Sequence, residues 1–186
     1  MRHAAWLLLA AGACAQAEPV VYRIDPAHTR VHFEVRHFGT STTRGRFDTL
    51  AGSIVLDRGA GSGEVSIVVD TGSVSTGIAP FDGTLRGANL LDAQAQPQAY
   101  FVAHRMVFDG DRLASLSGEF TLRGTSRPLT LRALHFACGP HPLLKREVCG
   151  GDFEAELTRS EFGMTYGLPF VADRVRLQIE VEAIRD

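Results

Sequence analysis

The chain has 186 residues, of which 45% are hydrophobic and 22% are charged, and its formal net charge is −2. This length fits one domain with a substantial core, and the composition argues against a disordered chain. A nearly neutral chain has no basic field of the kind that neutralises phosphates, so we expect no nucleic-acid partner.

The first seventeen residues have the pattern of a secretory leader. Basic residues precede an apolar run, and Ala15–Ala17 places small residues where signal peptidase cleaves. We therefore expect a signal peptide at 1–17, export to the periplasm and no stable membrane anchor, since no later run is long enough to span a bilayer. In the alternative, Cys14 carries a lipid, although Ala11 stands where a lipoprotein signal usually has leucine.

The stretch 30–37 is typical of a β-strand with one polar face. Apolar residues such as Phe33 and Val35 alternate with polar ones, which places the two sets on opposite faces. We expect His32 to face water. His37 has the parity of Phe33 and Val35, so we expect it to point inward where the strand ends.

The same alternation recurs along the chain and predicts about nine strands. The candidates are 20–24, 30–37, 50–57, 65–69, 100–108, 120–122, 129–136, 153–157 and 175–181. Turn-forming glycines separate them. Only 77–98 breaks the pattern, and its leucines indicate a short helical insertion. We predict one all-β antiparallel domain at 18–186, either two packed sheets or a closed barrel that could hold a ligand.

Two cysteines, Cys138 and Cys149, bound a loop that contains glycine and proline. In an exported protein this arrangement favours a disulfide. The alternative is a zinc site formed by both cysteines with His135 and His141, but the spacing matches no established zinc motif. We therefore expect no metal.

The catalytic motifs that can be recognised from sequence are absent: there is no nucleophile elbow, no H-E-x-x-H and no phosphate-binding glycine loop. We expect no enzymatic activity. The remaining acid–base candidates are Asp25, His28 and His37, and the sequence Asp-Pro-Ala-His is also typical of a turn in which the histidine hydrogen-bonds the aspartate.

The segment 158–170 combines Arg159 with large apolar residues, including Phe162 and Phe170. Such a mixture could line the mouth of an apolar pocket, with Arg159 hydrogen-bonded to a ligand head group. Alternatively, the aromatic residues complete an ordinary core and Arg159 lies on the surface.

Several blocks, in order and spacing, resemble the YceI-like family. They are "YRIDPAHTRVHFEVRHFG", "GRFDTLAGSIVLD", "GSVSTG", "FDGTLRGANLLDAQAQPQAYF", "SGEFTLRGTSRPLTL" and "LTRSEFGM". The resemblance implies a lipocalin-like antiparallel β-barrel of about eight strands, exported to the periplasm. It also implies an elongated apolar cavity for long isoprenoid chains, such as polyprenyl lipids or isoprenoid quinones. The cysteine-bounded loop is not a general feature of that family.

From this resemblance we expect a periplasmic binding or carrier protein whose ligand is an isoprenoid lipid or quinone, with no other cofactor; the chain could also form a homodimer. The candidate ligand-binding residues are Phe33, Val35, Phe101, Phe120, Leu122, Phe162 and Phe170, with His37 and Arg159 at the polar end. Two alternatives stay open. One is a small hydrolase-like enzyme using Asp25, His28 and His37, and the other is a stress-associated structural β domain with a solid core and no ligand.

Overall fold

The computed structural model describes residues 18–110 and 112–186, so the predicted signal peptide at 1–17 lies outside the described residues. Within these ranges the strands are β1 (Val20–Ile24), β2 (Arg30–His37), β3 (Ser41–Phe47), β4 (Leu50–Asp57), β5 (Ser62–Asp70), β6 (Val74–Ser75), β7 (Gln98–Asp109), β8 (Arg112–Leu122), β9 (Thr125–Pro140), β10 (Glu147–Thr158) and β11 (Val171–Arg185). One α-helix, α1, spans Ala79–Arg86, and two 3₁₀ helices span Thr71–Ser73 and Arg159–Phe162.

Eight of the strands close into an antiparallel barrel. Their order is β1-β4-β5-β7-β8-β9-β10-β11, and β11 pairs back to β1. Closure leaves these strands without a free edge, which removes the tendency of an open sheet to pair with other chains. The predicted lipocalin-like barrel with a short helical insertion is therefore confirmed, and the alternative of two packed sheets is wrong.

The long strand β11 organises one wall of the barrel. One edge of β11 pairs with β10, and the other edge is shared, first with β2 and then with β1. Strands β3 and β6 continue the sheet beyond β2. Because β1 and β2 follow one another along β11, the segment 25–29 that joins them lies partway along the wall.

The barrel has two ends that we name by their turns. The upper end carries the β2–β3 turn at 38–40, the β8–β9 turn at 123–124 and the connection 159–170. The lower end carries the β4–β5 turn at 58–61 and the β9–β10 loop at 141–146. The antiparallel registers fix these positions.

Strand β3 was missed by the sequence pattern because its inward side is not a row of large apolar residues. Opposite β2 it presents Thr43, Gly45 and Phe47. Gly45 faces the Phe33 ring, which occupies the space that a side chain would need. The two-residue strand β6 was also missed, and β8 begins at Arg112, earlier than the predicted 120.

The helix α1 closes part of the upper end, between β6 and β7 in the chain. Pro80 lies in its first turn, where a missing N–H is tolerated. The buried Asp82 carboxylate accepts bonds from the Thr76 amide and hydroxyl, at 2.7 and 2.6 Å, and so ties the helix to the preceding segment. At eight residues α1 is short, and nowhere in the described ranges does a helix have the length and apolar character needed to cross a membrane.

Candidate functional site

The barrel encloses an apolar cavity of about 340 Å³, which is within the range of small-molecule pockets, roughly 300–1,000 Å³. Every strand except β1 contributes to its lining, together with α1 and the connection 159–170. The cavity therefore extends along the barrel and belongs to the whole sheet.

The period-two pattern of the strands explains this lining. On β11, Leu177 and Ile179 face the cavity, whereas Arg176 and Glu180, which flank them, lie on the outer wall. There Arg176 pairs with Glu154 of β10, and Glu180 lies 3.9 Å from His32 of β2. Because the inward apolar side chains face a cavity, part of their surface is not covered by other protein atoms. A ligand with an apolar chain would cover that surface.

Most of the residues predicted to bind a ligand line this one cavity. They are Phe33, Val35, His37, Phe101, Phe120, Leu122 and Arg159. His37 is the last residue of β2 and Arg159 directly follows β10, so both lie at the upper end.

Phe162 and Phe170 do not line the cavity, and this corrects their predicted placement. Phe162 is buried, with its ring edge-on to Phe120 at a centroid distance of 5.6 Å. Phe170 is 64% exposed. The reason is alternation, since the next residue, Val171, takes the inward position and leaves Phe170 to point away.

Arg159 was predicted to hold a head group or to lie on the surface, and neither describes its main contacts. It is only 4% exposed. Its Nε donates to the Ala172 carbonyl at 2.9 Å, Nη1 to Met164 at 2.6 Å and Tyr166 at 2.9 Å, and Nη2 to Val171 at 3.0 Å. These bonds use four of the five N–H donors of the guanidinium and leave one on Nη2. Arg159 mainly fixes the loop that follows it.

The charge of Arg159 is nevertheless a feature of the cavity. Burial lowers the pKa of its guanidinium, and the Asp173 carboxylate acts in the opposite direction. The Asp173 carboxylate itself accepts bonds from the amide and hydroxyl of Ser160, at 2.8 and 2.6 Å, and the hydroxyl bond lowers the pKa of Asp173. An arginine stays protonated under such conditions. The upper end thus holds one buried cation.

Several lining residues were not predicted. Phe81 and Leu85 of α1 line the cavity, and so do Thr43 and Phe47 of β3. Tyr166, which belongs to the segment 158–170 that was expected to line a pocket mouth, also lines it. The four-residue spacing of Phe81 and Leu85 on a helix was a usable signal. Thr43 carried none, because a polar side chain on a strand does not reveal which way it points.

At the lower end a polar cluster joins the buried Tyr22 to the half-exposed Arg58 through Glu147. The hydroxyl of the fully buried Tyr22 donates to the Glu147 carboxylate, which also accepts from Arg58 Nη2 at 2.9 and 3.0 Å. Burial, and then the bond to Glu147, raise the pKa of Tyr22, and the same hydrogen bond is the main cause that lowers the pKa of Glu147. Since Glu147 lies on the β9–β10 hairpin, this cluster fastens the hairpin to β1 and to the turn after β4.

The predicted disulfide lies beside this cluster. Cys138 and Cys149 face each other across the β9–β10 ladder, with Cα atoms 4.1 Å apart, and their sulfurs are bonded. The zinc alternative is wrong, because both thiols are used in this bond. Cys149 is buried and lines the lower part of the cavity.

The acid–base set of the enzyme alternative is not assembled in one place. His28 Nδ1 lies 2.8 Å from Asp25 Oδ2; this bond raises the pKa of His28 and lowers that of Asp25. Both lie on the outer wall near Glu182, and the three side chains could together approach a cation. His37 pairs with Val171, eleven positions away from Glu182 along β11, which is roughly 30 Å.

Comparison with known proteins agrees with this fold. The family model for the YceI-like domain matches residues 22–183. Protein YceI of Salmonella arizonae is 31% identical over 182 residues, covering 96% of this chain and 93% of the relative.

Solved structures share the architecture at lower identity. BcnA of Burkholderia cenocepacia superposes with a TM-score of 0.71 at 20% identity, covering 86% of this chain and 98% of its own. A polyisoprenoid binding domain from Saccharophagus degradans, implicated in plant cell wall breakdown, gives a TM-score of 0.62 at 18% identity, covering 90% of this chain and 99% of its own. The family match over nearly the whole described chain, together with the barrel and its cavity, establishes that this chain belongs to the YceI-like family.

Proposed function

We propose that this protein binds a long amphiphilic isoprenoid, a polyprenyl lipid or an isoprenoid quinone, in the barrel cavity and carries or stores it in the periplasm. The observation that carries the proposal is the apolar cavity that extends along the barrel and is lined by all strands but β1. The structural neighbour from Saccharophagus degradans, a polyisoprenoid binding domain, supports this choice of ligand. The leader-like sequence and the disulfide support export to an oxidising compartment.

The physical basis of binding would be removal of the isoprenoid chain from water. Each buried CH₂ contributes roughly 0.8 kcal/mol, so a chain of several isoprenoid units needs no strong polar contact. The barrel wall is formed before the ligand arrives, which keeps the ordering cost of binding low. Binding of this kind requires no chemical step.

The polar end of the ligand would lie at the upper end of the barrel. There Arg159, His37 and Tyr166 line the cavity. The lower end is occupied by the Tyr22–Glu147–Arg58 cluster and the disulfide. A head group with one or two oxygen acceptors suits the few donors at the upper end.

The test is native mass spectrometry of protein taken directly from cells, with organic extracts analysed for isoprenoids. We expect one isoprenoid molecule per protein. Protein that carries no stoichiometric lipid, with the cavity filled only by water or buffer, would reject the proposal in favour of a structural β domain. The cavity itself already disagrees with the solid core that this alternative assumes.

A further inference from the structure

Three aromatic side chains at the upper end are largely exposed to water. Phe38 and Tyr166 are each 59% exposed, and Phe170 is 64% exposed. The Phe38 and Phe170 rings lie 5.9 Å apart, and the Phe38 amide donates to the Phe170 carbonyl at 2.8 Å. We call Phe38, Tyr166 and Phe170 the aromatic rim. Contiguous exposed apolar side chains of this kind usually mark a contact surface.

Phe38 has a second unfavourable feature, its backbone conformation. In the β2–β3 turn Phe38 has φ +49° and Gly39 has φ +67°, the left-handed values of a turn that favours asparagine followed by glycine. A bulky residue with positive φ is an outlier that often has a functional reason. Here the sequence places an exposed ring where Asn would fold more easily.

The aromatic rim borders the cavity. Tyr166 itself lines the cavity, and so do His37 and Val171, the immediate neighbours of Phe38 and Phe170. By contrast, Cys149, which lines the cavity at the lower end, is buried. A ligand that enters or leaves at the upper end therefore passes the rim.

The rim lies beside the three arginines of residues 35–47, and the acidic residues Glu34, Asp48, Glu161 and Asp173 directly flank the two segments that carry the rim. Arg44 pairs with Glu34 and Arg46 with Asp48. Arg36 takes part in no ion pair within the described part of the chain and donates to the Gly39 carbonyl at 2.9 Å, so its charge lies on the Phe38 turn. Aromatic rings beside an arginine suit the interface of an anionic lipid bilayer.

We propose that the aromatic rim docks onto the surface of an anionic phospholipid bilayer, with Phe38 and Phe170 in the interface and Arg36 near the lipid phosphates. This inference rests on the proposed function, because an isoprenoid that is insoluble in water must be collected from a membrane. Docking at the rim would let the chain of the ligand move between bilayer and cavity without crossing water.

The first experiment places a fluorescent reporter on the rim. Trp6 is the only tryptophan in the sequence and lies in the predicted signal peptide, so removal of residues 1–17, or Trp6→Phe where they are retained, gives a background without tryptophan. In that background, Phe170→Trp should show a blue shift on phosphatidylglycerol-containing vesicles and quenching by brominated acyl chains. Leu143→Trp is the matched control, because Leu143 is 85% exposed but lies in the loop at the lower end. Its emission should not change.

The second experiment measures vesicle affinity by co-sedimentation. Phe38→Asn and Phe170→Ser should each lower the affinity about tenfold. Arg36→Ser should lower it about fivefold on anionic vesicles and leave it unchanged on phosphatidylcholine vesicles. Leu143→Ser is the control and should bind as the parent does. Phe38→Asn should also melt at or above the parent temperature, so its loss of binding cannot be attributed to unfolding.

The two proposals fail in different ways. The rim would be rejected as the docking surface, even if extracts contain isoprenoid, by either of two results. One is parent protein that does not bind anionic vesicles, and the other is a blue shift of emission in Leu143→Trp with none in Phe170→Trp. Vesicle binding that depends on Phe38 and Phe170 would support the rim even if extracts contain none, in which case the proposed ligand would be wrong.

Discussion

The rings of Phe120 and Phe162 meet edge to face with their centroids 5.6 Å apart, but only the Phe120 ring faces the cavity. The pair therefore spans the wall of the cavity, with Phe120 on the ligand side and Phe162 on the protein side. The same substitution at these two positions should have opposite effects.

Replacing Phe120 with tryptophan should lower the amount of bound lipid and cost little stability, because the larger ring extends into space that the ligand uses. Replacing Phe162 with tryptophan should overpack the core and cost about 1–3 kcal/mol while the lipid remains. Lipid per protein from mass spectrometry of extracts, measured beside urea unfolding of delipidated samples, checks both. Equal loss of stability in the two variants would argue that Phe120 also faces a solid core.

Arg159 should matter more for stability than for ligand affinity. Lysine at this position keeps the charge but cannot reach four carbonyls of the loop 164–172 at once. We expect Arg159→Lys to lower the free energy of unfolding by about 2–4 kcal/mol, since bonds from a charged donor are lost and buried carbonyls stay unpaired.

The matched control is Arg174→Lys on the outer wall, where the side chain is 75% exposed and pairs with Glu156. That change should alter stability by less than about 0.5 kcal/mol. Urea unfolding measures both variants. If Arg159→Lys folds with parental stability but loses the ligand, the guanidinium acts mainly on the head group, as the sequence alone suggested.

The alternation of apolar and polar residues could be predicted from the sequence for most strands. It separates Phe33 and Val35 from the polar residues of β2, but which face lines a cavity is not encoded in the alternation, and the cavity-lining candidates came from the resemblance to a family. The pattern did not show that the sheet closes, because closure depends on the pairing of β1 with β11, residues more than a hundred positions apart. The resemblance to a family supplied that step.

The contacts of the connection 159–170 could not be predicted. The carbonyls that hold Arg159 belong to a loop whose path is set by tertiary packing, and no local pattern encodes it. The one-residue difference between the exposed Phe170 and the inward Val171 is likewise decided by the register of β11 with β2. The periodic pattern of the strands ends at such a loop, so it cannot predict which side chains of the loop face the cavity.

The Tyr22–Glu147–Arg58 cluster should make the lower end sensitive to acid. The pKa of Glu147 is lower in the folded protein, mainly because of the Tyr22 hydroxyl, so the unfolded chain binds more protons at acidic pH. The stabilisation from Glu147 is thus present above the ordinary glutamate pKa of about 4.3 and is lost as pH falls through the folded value. Glu147→Gln should be less stable at neutral pH and show a shallower loss below about pH 5.

The measurement is urea unfolding at a series of pH values. Tyr22→Phe is the control, because it removes the hydroxyl while keeping the ring, and it should give a slope between those of the parent and Glu147→Gln. Identical acid dependence in the parent and Glu147→Gln would show that other carboxylates account for the whole effect.

The disulfide should stabilise the fold without being needed for the ligand. Cys138 and Cys149 close a loop with a sequence separation of 11, for which the chain-entropy model gives roughly 3 kcal/mol. The Cys138→Ser/Cys149→Ser variant should have a free energy of unfolding that is lower by that amount, measured by urea unfolding. It should keep its lipid, because Glu147 still fastens the hairpin to Tyr22 and Arg58.

Reductant provides the control: it should lower the free energy of unfolding of the parent to that of the double variant and leave the double variant unchanged. Parent protein in which both thiols react with a thiol reagent without prior reduction would contradict the bond, and loss of lipid in a well-folded double variant would place the disulfide in the ligand site.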